Sequence, residues 1–197
     1  IRTLTVLWSD GFETYSSGAW PTSNWTNSGN LSGSYVDGSV ALTGSKSLRL
    51  FGTADGEAAN AHRALATSSA TPIAWEVQCS VRNGSETAGQ QYRGGIGVHV
   101  GAVWSSTFRA LLVFRTSGEL RDGNDSVLVA YSPGTWYKVR VKYEYPVSGN
   151  VRLTYWLDDV LLRVISVAPV RDETSLAYLT LLAGGGTAWY DNCSISR

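Results

Sequence analysis

The feature that most constrains this chain is a period of two in its apolar residues. From Ser47 onward, short runs in which every second residue is apolar alternate with turn residues. Successive side chains of a β-strand point to opposite faces, so these runs predict strands with one buried and one exposed face. The clearest runs begin at Trp75, Ile96, Phe108, Tyr137 and Val151. No helical period extends over more than about ten residues, so we expect no long helix.

Turn residues separate the predicted strands, as in Arg121–Asn124, Ser132–Gly134 and the pair Asp158-Asp159. Regularly spaced strands joined by hairpins predict an all-β, antiparallel β-sandwich of two stacked sheets, with a barrel as the alternative. The Gly-, Ser- and Asn-rich stretch from Asp10 to Gly44 predicts loops and short strands. A length of 197 residues suits one such sandwich, so residues 1–197 are predicted to form a single domain.

Composition and charge exclude several classes of partner. Sixteen basic residues balance sixteen acidic ones and form no basic run, which disfavours nucleic acid. No stretch approaches the roughly 20 apolar residues of a membrane helix, so we expect no membrane insertion. The chain begins with Ile1 and contains no Met, which fits a processed product or a piece of a larger protein or assembly.

Two cysteines, Cys79 and Cys193, stand far apart in the sequence. They allow either one disulfide or two buried thiols, and the sequence leaves both open. Five Asn-X-Ser/Thr tripeptides are too common in a chain of this composition to indicate glycosylation by themselves.

Several short segments together resemble one superfamily. They are Asp10-Gly11-Phe12-Glu13, Trp25 with Ser28-Gly29-Asn30, Gly44–Leu50, Gly134–Val139, Tyr155–Asp159 and Ala188–Asn192. In order and spacing they are similar to the concanavalin A-like and laminin G-like jelly rolls, over nearly the whole chain. That superfamily contains lectins, carbohydrate-binding modules, hydrolases, lyases and adhesion domains, so the resemblance implies a shape and leaves the activity open.

The resemblance also implies a calcium site. It places Glu13 and Asp191 where such jelly rolls bind Ca²⁺, with Asp10 as a third carboxylate and a backbone carbonyl near Lys46. Several oxygen ligands suit this hard cation. Its expected role is structural, holding the two termini together. The alternative is that Glu13 caps a turn and Asp191 bonds to arginine or to the backbone.

A glycan-binding surface is the second expectation. Sugar sites pair aromatic rings with planar polar side chains. The resemblance brings the strands around Trp75, Ile96 and Phe108 near a concave sheet, which predicts one cluster: Gln78, Tyr92, Arg93, His99, Trp104 and Arg109. Its arginines favour acidic sugars. The alternative is an ordinary solvated sheet face.

Catalytic motifs are scarce. No Glu-X-Asp sequence occurs, which disfavours glycoside hydrolysis of the laminarinase type. A polysaccharide lyase would use a Tyr or His base beside Arg or Gln, and His99, Gln78, Arg82 and Tyr143 are residues of those types. The cysteines and histidines lack the spacing of a zinc site. His62 is expected to be an ordinary surface residue.

We therefore expect a non-catalytic, lectin-like module that recognises a polysaccharide and is secreted or displayed at a surface. A structural or adhesion domain of a virion or cell-surface assembly is the first alternative. A polysaccharide lyase is the second.

Overall fold

The computed structural model describes residues 5–29, 31–53, 59–64, 73–86, 92–100, 108–145, 149–168 and 177–197. At residues 73, 99, 100, 108–110, 145 and 177 it describes the main chain alone.

The described residues form strands and turns, and none of them lies in a helix. In chain order the strands are β1 (Val6–Asp10), β2 (Thr26–Gly29), β3 (Tyr35–Asp37), β4 (Ser47–Gly52), β5 (Ala59–Ala64), β6 (Ile73–Asn83), β7 (Tyr92–Val100), β8 (Phe108–Arg115), β9 (Glu119–Asp122), β10 (Val127–Ala130), β11 (Trp136–Tyr145), β12 (Val151–Leu157), β13 (Val160–Val167), β14 (Ala177–Ala183) and β15 (Gly186–Ser196). Among the described residues, no helix is long and apolar enough to cross a membrane.

The strands make two antiparallel sheets. Sheet A has the order β13-β12-β11-β6-β15-β4-β3, and β1 pairs with the distal half of β15. Sheet B has the order β10-β9-β8-β7-β14-β5-β2. Both sheets have edges, so the predicted sandwich is confirmed over the predicted barrel. The architecture is the two-sheet sandwich that the resemblance implied.

The core lies between the sheets and follows the predicted alternation. Val77, Cys79 and Val81 on β6 are fully buried, and the side chains between them face outward. On β12, Leu153 and Tyr155 are buried in the same way. The pair Asp158-Asp159 turns the chain between β12 and β13 with positive φ at both residues, as a two-residue hairpin requires.

A disulfide joins Cys79 of β6 to Cys193 of β15, two neighbouring strands of sheet A. Their sequence separation is 114 residues. A cross-link that closes a loop of about 100 residues removes unfolded-state entropy worth roughly 4–5 kcal/mol in the chain-entropy description. Of the two arrangements that the sequence left open, the structure has the disulfide.

Tyr190 links the two sheets through the core. Its side chain is fully buried on β15 of sheet A, and its hydroxyl accepts a hydrogen bond from Gly95 N of sheet B at 2.9 Å. The hydroxyl also lies within hydrogen-bond distance of the carbonyl oxygens of Gly95 and Leu182. Gly94 makes this approach possible, because a Cβ there would lie 2.8 Å from Ala188 Cβ and 3.0 Å from the phenol oxygen. Burial raises the pKa of Tyr190, so the phenol is neutral at ordinary pH.

Tyr190→Phe is expected to lower the free energy of unfolding by about 1–3 kcal/mol, because it leaves buried polar groups of β7 and β14 without this partner. Chemical denaturation measures the change. Tyr35→Phe is the control: Tyr35 is half-exposed on the outer side of sheet A, and its substitution should cost less than about 0.5 kcal/mol. Equal stability of the two variants would contradict this role for Tyr190.

Candidate functional site

The outward face of sheet B contains an unusual group of polar side chains. On β14, Leu179 and Leu181 point into the core, so Tyr178 and Thr180 point outward. The register places Thr180 directly opposite His62 of β5. Ser28 of the neighbouring strand β2 lies beside them. We call these four residues, Ser28, His62, Tyr178 and Thr180, the His62 face.

Both ring nitrogens of His62 have hydroxyl partners. Nε2 lies 2.7 Å from Ser28 Oγ, and Nδ1 lies 3.0 Å from Thr180 Oγ1. The Tyr178 ring meets the His62 ring edge to face, with 6.4 Å between centroids. The imidazole is thus held in one orientation by residues from two neighbouring strands, β2 and β14.

Burial distinguishes this face from a solvated one. His62 is 1% exposed and Thr180 is fully buried, although both lie on the outward side of a sheet. Outward faces of antiparallel sheets normally present polar groups to water. The prediction that His62 is an ordinary surface residue is therefore wrong. An isolated histidine in the run Ala59–Ala64 gave no sign that hydroxyls from two other strands would meet it.

Two predicted glycan-binding residues lie on strands next to this face. The main chain of His99, on β7, pairs directly with Tyr178, and Arg109 belongs to the adjacent strand β8. The side chains of both are outside the described part of the structure, as is the whole of Trp104. The binding roles of these three residues remain predictions.

Tyr92 and Arg93 make contacts within the fold. Arg93 is 4% exposed, donates from Nε to Glu86 O at 3.1 Å, and donates from Nη1 to the Tyr131 hydroxyl at 3.2 Å. The Tyr92 ring covers Gly184, where a Cβ would lie 2.1 Å from the ring. These contacts fix the start of β7 against the turn before β15.

Gln78 is separated from the other predicted glycan-binding residues. It lies on the outward side of β6 in sheet A, whereas Tyr92, Arg93, His99 and Arg109 belong to strands of sheet B. With Asp10 and Asn192 it lines a surface pocket of about 360 Å³. The strands around Trp75, Ile96 and Phe108 therefore do not share one sheet. Of the residues considered for a lyase, Tyr143 is buried in the core and Arg82 lies on sheet A.

The predicted calcium site combines the end of β1, the middle of β15 and two nearby loops, and its carboxylates accept hydrogen bonds. Asp10 accepts from Phe12 N, the Tyr15 hydroxyl and Trp25 Nε1 at 2.7–3.0 Å. Glu13 accepts from Ser45 N and Lys46 N, both at 2.9 Å. These two backbone bonds lower the pKa of Glu13, which keeps it ionised.

Asp191 and Lys46 complete this arrangement. Asp191 accepts from Leu42 N and Thr43 N at 3.0 Å and from Asn192 N at 2.7 Å. The Lys46 ammonium donates to the carbonyls of Glu13 at 2.9 Å and Tyr15 at 2.8 Å. Every carboxylate oxygen of Asp10, Glu13 and Asp191 thus faces an N–H or O–H donor, and the ammonium binds the carbonyls. Across the described ranges, no three His, Cys, Asp or Glu residues form a group that could hold a metal ion. These contacts favour the interpretation that the Lys46 ammonium, and not Ca²⁺, holds these loops together, an arrangement that we call the lysine clamp. Calcium binding itself remains a prediction.

Comparison with known proteins finds likeness at the level of structure. No family model matches the sequence, and a search of curated proteins finds no match. Three solved structures are similar over most of both chains. A carbohydrate esterase of the Shiga toxin-encoding bacteriophage phi24B has a TM-score of 0.64 and 15% identity, with 98% of this chain and 99% of that chain covered. An endo-β-1,4-glucuronan lyase of the fungus Trichoderma reesei has a TM-score of 0.59 and 12% identity, with 97% and 95% covered. The carbohydrate recognition domain of Emp46p has a TM-score of 0.57 and 8% identity, with 88% of each chain covered.

These likenesses establish the fold. At such low identities they transfer no activity to this chain, and the three proteins differ in what they do.

Chelation distinguishes whether Ca²⁺ or the Lys46 ammonium holds these loops together. If Lys46 holds these loops, EDTA should leave the melting temperature unchanged, and Lys46→Met should lower the free energy of unfolding by about 1 kcal/mol through two lost charge-assisted bonds. The control Lys138→Met removes an exposed ion pair with Asp159 and should cost less. A fall of several degrees on chelation, reversed by added Ca²⁺, would instead support the calcium site.

Proposed function

We propose that this protein binds a polysaccharide at the His62 face of sheet B. The observation that carries the proposal is the burial of a hydrogen-bonded histidine and threonine on the outward side of a sheet. Sugar hydroxyls are recognised by planar polar groups and hydroxyls held in fixed orientations. Ser28 and Tyr178 are partly exposed and supply such groups, and the buried side chains of His62 and Thr180 hold them in place.

The structural neighbours support the choice of ligand class. Their names describe a lyase acting on glucuronan, a carbohydrate esterase and a carbohydrate recognition domain. Different activities on one fold, all directed at carbohydrates, favour a glycan as the ligand here too. The binding roles predicted for His99 and Arg109 belong to the same proposal, since their main chains lie on β7 and β8 beside this face.

We place this function outside the cell, at a surface or on a virion. The disulfide between Cys79 and Cys193 supports this location, because such bonds persist mainly in oxidising compartments.

His62→Gln is expected to weaken binding to at least one polysaccharide by about tenfold, because glutamine cannot keep both hydroxyl contacts of the imidazole. Affinity electrophoresis in gels containing soluble polysaccharides, with pull-down on insoluble ones, measures the change. Lys142→Gln on the opposite sheet is the control and should bind as the unsubstituted protein does.

Folding of His62→Gln is checked by its melting curve. Two results would contradict the proposal: no retention of the unsubstituted protein on any polysaccharide, or equal affinity of His62→Gln for all of them. The first result combined with self-association in light scattering would favour a structural or adhesion domain.

A polysaccharide lyase is the second candidate, and the contact between Tyr178 and His62 favours it. In β-elimination a base removes the proton beside the uronate carboxyl group, the bond to the leaving oxygen breaks, and a carbon–carbon double bond forms. The leaving oxygen takes its electron pair and receives a proton. Tyrosine and histidine are residue types that can carry out these two proton transfers.

If the protein is a lyase, Tyr178→Phe should reduce the rate of formation of unsaturated products by about a hundredfold or more while binding is kept. Ultraviolet absorbance during incubation with polyuronates follows the reaction. Tyr137→Phe, on the other sheet, is the matched control. Absence of products from the unsubstituted protein on all polyuronates would exclude this candidate and leave the binding proposal intact.

A further inference from the structure

A row of alternating aromatic and arginine side chains crosses the outward face of sheet A. The strand register pairs Trp136 with Arg82, Arg82 with Trp189, Trp189 with Arg49, and Arg49 with Tyr35. Five consecutive strands, β11, β6, β15, β4 and β3, each contribute one residue. We call this row the Trp/Arg ladder.

All five side chains lie on the same side of the sheet. The residues that flank them, such as Val81, Leu48 and Ala188, are buried in the core, so the ladder residues point away from it. Each of the five is half-exposed. The ladder therefore lies on the opposite surface of the sandwich from the His62 face.

Stacking orders the arginines of the ladder. The Arg82 guanidinium lies 5.3 Å from the Trp189 ring centroid, and the Arg49 guanidinium lies 5.2 Å from that of Tyr35. Arg49 also lies 5.3 Å from the Phe51 ring. These cation–π contacts restrain the guanidinium groups beside the rings and reduce the entropy that a ligand would have to remove.

Neither Arg82 nor Arg49 has a carboxylate within ion-pair distance in the described part of the chain, although the charge of Arg49 acts on the nearby Asp37 carboxylate and helps to lower its pKa. Arg82 donates from Nε to Gly134 O at 2.8 Å, and its two terminal amino groups have no hydrogen-bond partner among the described residues. Arg49 donates to Gly33 O and, at 3.5 Å, to Thr187 Oγ1. A carbonyl or hydroxyl partner orients a guanidinium and leaves its charge available to an anion.

The nearby carboxylates are already engaged. Asp37 is 7% exposed and accepts from Trp189 Nε1 at 2.8 Å. Burial opposes its ionisation, but hydrogen bonds from Ser39 and Trp189 outweigh that effect and lower the pKa of Asp37. Glu86 accepts from Thr187 Oγ1 at 3.1 Å. Asp37 therefore fixes the indole of the ladder, and its low exposure keeps it from competing for a ligand at the surface.

We propose that the Trp/Arg ladder is a second binding surface, specific for an acidic polysaccharide. Neighbouring strands are about 4.8 Å apart, so the aromatic rings of the ladder repeat at about 10 Å across the sheet. That spacing is comparable to a disaccharide of an extended chain. The rings can stack on alternate sugars while guanidinium groups between them form paired hydrogen bonds with uronate carboxylates.

Titration calorimetry with hexamers of galacturonate and glucuronate, and with neutral cellohexaose, tests this proposal. We expect a uronate hexamer to bind and cellohexaose to bind at least tenfold more weakly. Arg82→Gln should weaken uronate binding by about tenfold, because it removes a charge-assisted contact. Trp136→Ala should weaken it also.

Arg152→Gln is the matched control, since Arg152 is an arginine of the same sheet face outside the ladder with 61% side-chain exposure. It should change binding less than twofold. Equal weakening by Arg152→Gln would mean general attraction of polyanions and would overturn the proposal.

This proposal does not depend on the His62 face, and the same experiment separates the two. His62→Gln should keep the uronate binding that Arg82→Gln loses. If His62→Gln abolishes binding and Arg82→Gln does not, the ligand belongs to the His62 face and the ladder proposal is wrong. Absence of binding to both uronate hexamers would also overturn it, as would self-association of the protein that Trp136→Ala and Arg82→Gln abolish.

Discussion

The spacing of the two sheets near β15 depends on the phenol of Tyr190. Its ring crosses the core from sheet A, and its hydroxyl bonds to the backbone of Gly95 and Leu182 in sheet B. The absence of a side chain at Gly94 allows this approach. Two residues further along each strand lie Gly97 and Thr180, which pair with each other, and Thr180 also pairs with His62 on its other side. A contact in the interior thus sets the position of the strands that carry the His62 face.

The N-terminal third of the chain is held by a different kind of interaction. Beyond the buried rings of Phe12 and Trp25, the carboxylates of Asp10, Glu13 and Asp191 accept hydrogen bonds from backbone and side-chain donors of its loops. Buried N–H groups need partners, and an ionised carboxylate can accept several at once. The Lys46 ammonium donates hydrogen bonds to two backbone carbonyls of the same loops. The residues that the resemblance assigned to a cation therefore already connect the loops to β15.

A sandwich of two sheets has two outward faces, and in this protein both carry organised polar groups. The His62 face is built on hydroxyls and imidazole, with His62 and Thr180 buried and Ser28 and Tyr178 partly exposed, which suits selective recognition of uncharged groups. The Trp/Arg ladder is half-exposed and built on rings and guanidinium groups, which suits attraction of a charged chain. The core separates the two faces, so substitutions on one should leave the other unchanged.

Much of the fold was predictable from the period of two. It identified the inward side chains of β6, β11 and β12 and the turn at Asp158-Asp159, because alternation is a property of each strand by itself. The partner of each strand was not predictable. Gln78 and His99 fall on similar alternating runs, yet they belong to different sheets.

The His62 face and the Trp/Arg ladder were missed for the same reason. Ser28, His62 and Thr180 come from three distant segments, and the ladder combines residues from five strands. The sequence by itself determined which side chains of a strand share a face, since that follows from local backbone geometry. Only the tertiary structure decided which strands lie side by side and in what register, because long-range hydrogen bonding and core packing select the neighbours.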